Sequence, residues 1–245
     1  MRPAISLSNT EALWIGKRIW QNECQGTVPG LTSWNIGENF ASLGIGHFIW
    51  YPEGMRGPFE ESFPKFLNFA VDHRADLPAW LQQGRICPWN SRAEFLGAQN
   101  SRQMIELREF LARTVDLQAQ FMVARLQNAL AKMLDEAEPA DRANVQVQFE
   151  RVGSTARGRY GLVDYVNFKG EGTLRTERYR DQGWGLLQVL EAMHGTSDRT
   201  SAVREFSRSA VAVLTRRVQN SPPEQKEARW LPGWIHRVKS YAGNS

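Results

Sequence analysis

The sequence predicts a mainly α-helical fold of the α+β class, with two lobes of helices and one small β-hairpin beside a cleft. Three observations predict it. Apolar residues recur at helical spacing along most of the 245 residues, most regularly across residues 101–136. β-formers and glycines gather in one short stretch, residues 41–51 (ASLGIGHFIWY). No clean linker divides the chain. Residues 1–245 therefore read as a single domain, with 1–60 holding the hairpin and 61–245 mostly helical.

Each element has a local cause. Ser8, Asn9, Thr10 and Glu11 spell a capping box, in which the Ser hydroxyl and the Glu carboxylate each satisfy a backbone N–H at the helix start. Leu13, Trp14, Ile15, Ile19 and Trp20 continue that helix, and Gln25-Gly26 stops it. Pro29, Gly30, Asn35 and Gly37 are turn residues, and the short strand or hairpin of 41–51 follows. A Pro/Gly-rich loop runs through Pro58. Beyond it Phe63, Phe66, Leu67, Phe69 and Ala70 form an apolar helical stripe, and Ala79-Trp80-Leu81 suits a short helix. Ser91 to Glu94 is a second capping box. Residues 101–136 make one long helix or two joined ones, and 143–168 one helix or a broken pair. Residues 167–185 are polar and glycine-punctuated; helices follow near 186–193, 202–218 and 230–241.

Composition excludes several classes. Hydrophobic content of 42% and charged content of 23% are ordinary for a globular protein. No apolar run approaches the roughly 18 residues of a membrane span. The first twenty residues lack an apolar stretch ending at a small-residue cleavage site, so no signal-peptide pattern is present. The net charge of +4 favours an anionic partner, but no block of five like charges suggests nucleic acid. Cys24 and Cys87 lack metal-ligand spacing and read either as one disulfide or as two buried thiols. His47, His73, His194 and His236 are scattered, and there is no P-loop, HExxH or GxSxG. No metal or cofactor is expected.

The chemistry gathers in residues 22–47, where Glu23 ends a helix, a polar turn-rich loop follows, and the chain closes on Ser42-Leu43-Gly44-Ile45-Gly46-His47. Glycoside cleavage needs a carboxylic acid to protonate the leaving oxygen and usually a second carboxylate across the ring. Glu23, between Trp20 and Cys24, is placed for the partial burial that keeps an acid protonated. Glycines in the hairpin would let a sugar chain approach. Trp34, Trp50 and Trp184, in or near Gly-rich segments, are better cleft candidates than Trp14 and Trp20.

This segment resembles the active-site signature of phage-type lysozymes, in which a helix-end Glu precedes a hairpin ending Thr-Ile-Gly-Xaa-Gly-His. The match covers about 25 of 245 residues. The resemblance implies a lysozyme-like fold with Glu23 as general acid. Ser42 stands in the threonine's place, beside the attacking water or sugar, and His47 borders the site. Those lysozymes carry an aspartate about six residues before the threonine, where this chain has Ile36. Glu38 is the nearest acid and the expected replacement; Asn35 and Asn39 offer amides, and Trp34 a ring. Lytic transglycosylases need only one carboxylate, so hydrolysis and transglycosylation both stay open.

A second constellation holds Asp164, Asn167, Lys169, Glu171, Glu177, Tyr179 and Gln188. Gly183-Trp184-Gly185-Leu186-Leu187-Gln188 resembles the glutamine-bearing segments that line the sugar cleft of lytic transglycosylases and lysozyme-like chitinases. Asp164, Asn167, Glu171, Tyr179, Trp184 and Gln188 are expected to contact N-acetyl sugars, and Glu171 is a further candidate for the second carboxylate. The resemblance implies a muramidase cutting the β-1,4 bond of peptidoglycan, in the periplasm or outside the cell, as a monomer with an inhibitor or immunity protein as a further partner. A chitinase- or chitosanase-like glycosidase and a non-catalytic wall-binding protein on a degenerate lysozyme-like fold are the alternatives.

Overall fold

The computed structural model describes residues 7–57, 59–196 and 199–243. Pro58 and the first six residues, part of the stretch without a signal-peptide pattern, lie outside them. The chain is mainly helical with two small antiparallel sheets, and divides into two compact units, residues 7–122 and 123–245. The division falls inside helix α6, Val115–Glu136.

In the first unit, α1 spans Asn9–Cys24 and opens on the expected capping box. It stops where Gln25 and Gly26 turn left-handed, at φ 55° and 68°. Strands β1 (Thr32–Ser33), β2 (Ala41–Leu43) and β3 (Phe48–Trp50) form a sheet in that order, with Ser42 opposite both Ser33 and Ile49. Helices α2 (Phe63–Asp72), α3 (Ala79–Gln83), α4 (Arg92–Gly97) and α5 (Arg102–Arg113) follow. The long apolar stripe is two helices. The chain breaks at Thr114, whose hydroxyl donates back to the Phe110 carbonyl (2.8 Å).

Aromatic packing fixes the hairpin to these helices. Phe48 stacks on Phe66 at 5.2 Å and meets Phe121 edge-on at 5.3 Å. Trp50 packs 4.7 Å from Phe63 and is fully buried, so it is a core residue and not a cleft wall. The glycines of SLGIGH also have an inward explanation. Gln118, fully buried on α6, accepts the Ile45 N–H at 2.8 Å and donates to the Leu111 carbonyl at 2.7 Å. A Cβ at Gly44 (φ 71°) would stand 2.3 Å from the Gln118 Oε1, and one at Gly46 would stand 2.5 Å from the Phe48 ring. These glycines let the hairpin loop close on its own core, which corrects the expectation that they clear room for a sugar.

In the second unit, α7 (Arg142–Gly153) and α8 (Ala156–Lys169) are the broken pair. Thr155 caps the Gly158 N–H at 3.0 Å, and a Cβ at Gly158 would lie 1.7 Å from the Val152 carbonyl oxygen. Strands β4 (Arg178–Tyr179) and β5 (Gln182–Gly183) form a ribbon closed by Arg180 and Asp181, both left-handed. Such a two-residue turn usually advertises itself as Asn-Gly. Arg-Asp gives no such signal, and so only one β element was expected. Helices α9 (Leu186–Glu191), α10 (Arg199–Asn220) and α11 (Leu231–Lys239) complete the unit.

Candidate functional site

Within residues 7–122, the end of α1 and the end of the hairpin meet. Glu23 sits in the last turn of α1, its side chain 14% exposed, with its Oε2 3.8 Å from the Nδ1 of His47. The other ring nitrogen of His47 lies 4.0 Å from the Cys24 sulfur, and that thiol is 3.9 Å from the Gly44 carbonyl. One imidazole therefore touches two consecutive residues of the helix end. His47 reaches this position with φ 47°, an uncommon backbone for a residue carrying a side chain.

The helix dipole opposes a carboxylate at this place. The C-terminal turn of a helix carries partial negative charge and favours cations, by about 0.3–1 kcal/mol at an exposed position. The last turn of α1 holds no basic residue of its own. Glu23 is thus kept where helix stability alone would select against it.

Cys24 and Cys87 are free buried thiols, so the disulfide alternative does not hold. Burial, with the Glu23 carboxylate beside it, pushes the Cys24 thiol up to about 12. Burial, partly offset by the Trp89 backbone, pushes Cys87 up to about 11. Thiolate is the reactive form. Both cysteines are therefore expected to resist iodoacetamide at pH about 8 in the folded protein and to react once it is denatured. Peptide mass spectrometry before and after denaturation checks this.

The remaining candidates of this unit lie on the sheet and the β1–β2 loop. Ser42 is 4% exposed, and its hydroxyl makes no hydrogen bond among the described residues. Its carbonyl accepts from the Ser33 hydroxyl at 3.4 Å. Glu38 is half-buried and accepts from the Asn35 amide at 3.1 Å; Asn35 and Asn39 are exposed. Ile36, at the position where the resemblance places an aspartate, is 88% exposed. Trp34 turns inward instead of lining a cleft. Its indole N–H donates to the Glu38 carbonyl at 2.8 Å, its ring packs 5.8 Å from Phe95, and Arg92 donates to its own carbonyl.

The second constellation lies within residues 123–245, and most of it is structural. Asp164 is fully buried, gripped by Arg237 through two hydrogen bonds of 2.8 Å and by the Tyr241 hydroxyl at 2.6 Å. It has no oxygen to offer a sugar, which corrects its expected role. Gln188 accepts the Gly185 N–H at 3.0 Å and donates to the Gly172 carbonyl at 3.1 Å, so its amide clasps two glycine loops. Trp184 is buried under the Arg217 guanidinium, 4.0 Å above its ring. The Tyr179 hydroxyl donates to Glu227 at 3.1 Å. Glu171 pairs with Lys132 at 3.3 Å, and Asn167 is half-buried. Lys169 sits 3.3 Å above the Trp234 ring.

Glu177 gains in interest from this geometry. Burial, reinforced by the Glu171 charge, holds it above the usual carboxylate range against the opposing Gly172 N–H and Arg217. Sequence spacing gave no reason to prefer it over Glu171, because the preference depends on burial.

Glu227 behaves in the opposite way. Burial would raise it, yet the Arg217 fork and the Tyr179 hydroxyl hold it below the ordinary range. A depressed carboxylate contributes stability that is present above the unfolded-state pKa and lost as pH falls through the folded value. Thermal midpoints are thus expected to fall on acidification below about pH 4, and Glu227→Gln to flatten that decline. Scanning calorimetry across pH checks the slope.

No metal-binding cluster of three or more His, Cys, Asp or Glu is present among the described residues, and none of their helices is long and apolar enough to cross a membrane. No family model, curated protein or solved structure matches the chain.

Proposed function

We propose that this protein is a glycosidase that cleaves the β-1,4 bond between the N-acetyl sugars of peptidoglycan, with Glu23 as general acid. The observation that supports this reading is Glu23 itself, a mostly buried carboxylate held against the helix dipole and braced by His47 at the end of SLGIGH. A residue retained at a cost to its helix is a candidate for chemistry. In this reading Glu23 protonates the leaving glycosidic oxygen, and His47 is a positioning residue that holds the carboxylate toward its substrate. Ser42 offers its unpaired hydroxyl to the attacking group, and Glu38 is the candidate second carboxylate. Trp34 and Asp164 are left out of substrate binding, because their polar groups are engaged within the protein. The substrate places the protein in the periplasm or outside the cell.

Purified peptidoglycan incubated with the protein and analysed by mass spectrometry tests the proposal. Reducing-end muropeptides indicate hydrolysis, and anhydro-muramyl ends indicate transglycosylation. Intact glycan after prolonged incubation with correctly folded protein would overturn it.

One observation favours a second reading. The exposed Ile36 leaves the usual aspartate position apolar, as a wall-binding protein without catalysis would tolerate. Sedimentation with peptidoglycan in the absence of any sugar release would support that reading.

A further inference from the structure

The second unit holds a cavity of about 520 Å³ between the β4–β5 ribbon, α9, α10 and the end of α6. Its lining carries charges of both signs. On the inner side, among the described residues, the Arg216 Nε is buried without a hydrogen-bond partner and the guanidinium makes one long contact, 3.5 Å, to the buried Gly183 carbonyl. Arg216 forms no ion pair among the described residues, although Glu191 lines the same cavity. Burial, with the charge of Asp141, holds Glu191 above the usual carboxylate range, against the opposing pull of Arg178 and Arg216. The neighbouring Arg178 pairs with Glu136 through one nitrogen at 2.8 Å, but its Nε is likewise buried and unpartnered. The rim is mixed and on balance acidic, with Glu136, Glu138 and Asp181 exposed beside a single exposed cation, Arg175.

An under-coordinated guanidinium in a half-buried cavity has lost water without regaining equivalent hydrogen bonds. A carboxylate returns them best, because its two oxygens match the planar fork. A simple anion would also meet the acids at the mouth. A ligand carrying an amine a few ångströms from its carboxylate satisfies both ends, with the carboxylate inward on Arg216 and the ammonium outward beside Glu138 and Asp181.

We propose that this cavity binds a small zwitterion, an amino acid or the free end of a short peptide. The inference does not rest on Glu23 or on glycan cleavage. NMR titration of the full-length protein tests it, following the Nε–H resonance of Arg216. The probes are alanyl-alanine, its N-acetyl form, its C-terminal amide and sodium acetate. The free dipeptide is expected to shift the Arg216 resonance saturably, with each capped form and acetate weaker by about tenfold or more. Arg216→Gln, followed on the Gly183 backbone amide beside that side chain, is expected to weaken the dipeptide by a similar factor, and Glu138→Gln to weaken it while leaving acetate unchanged. No shift with the free dipeptide, equal affinity for the capped forms, or acetate binding as tightly as the dipeptide would each overturn the proposal. Should Arg216→Gln fail to fold, the four probes on the unaltered protein decide the matter.

Discussion

Glu23→Gln is expected to lower the rate of peptidoglycan cleavage by roughly a hundredfold to ten-thousandfold, the usual contribution of a positioned general acid. The amide keeps the volume and most of the hydrogen-bonding capacity of the carboxylate, but it has no proton of suitable acidity to give the leaving oxygen. The same substitution removes a negative charge from the C-terminal turn of α1, where no basic residue of that turn offsets it. Stability is therefore expected to stay level or to rise by about 0.3–1 kcal/mol. Release of soluble fragments from labelled peptidoglycan and a thermal melt on the same preparation read both effects. A drop in activity accompanied by a large fall in the melting temperature would point to a structural role. Unchanged activity would remove Glu23 from the mechanism altogether.

Asp164→Ala is expected to be the most destabilising single change in the second unit, by about 3–5 kcal/mol. Arg237 and Tyr241 both donate hydrogen bonds to this carboxylate, and none of its surface is exposed. Removing it leaves the Arg237 guanidinium, itself only 15% exposed, without its countercharge. It also strips the partner from a fully buried Tyr241 hydroxyl, whose ring packs against Tyr160 and Phe206. Those contacts join α8, α10 and the chain end beyond α11. Urea denaturation followed by tryptophan fluorescence measures the loss. A change below about 1 kcal/mol would mean that the network is compensated by water or by relaxation of α11.

The difference between these two acids explains how far the sequence could be read. Both are carboxylates that the sequence assigns to a sugar site, Glu23 as its general acid and Asp164 as a contact to N-acetyl sugars. Glu23 is placed by its own helix, since the capping box at Ser8 and the left-handed stop at Gln25 fix where α1 ends. Those are local signals. Asp164 is decided by Arg237 and Tyr241, more than seventy residues away in sequence. No pattern around Asp164 announces them.

The hairpin shows the same division. SLGIGH is legible as a tight β element because glycine and β-formers alternate there. The reason that glycine is needed lies in Gln118, on a helix that sequence periodicity assigns only to packing. The Trp residues divide likewise: helical or strand position can be read locally, but whether Trp34, Trp50 or Trp184 faces outward depends on distant partners such as Phe95, Phe63 and Arg217.

By itself, then, the sequence determined the mainly helical class, most helix ends, the β-hairpin and the position of Glu23 at the close of α1. Capping, glycine stops and 3.6-residue periodicity act within a few residues, and these features need nothing more. The tertiary structure alone decided which polar groups are spent inside the protein and which remain open to a ligand. Asp164, Gln188 and Trp34 are engaged, while the Ser42 hydroxyl and the inner edge of Arg216 are not. Whether a polar group is spent depends on burial and on partners brought from far along the chain, and neither is encoded in the residues next to it.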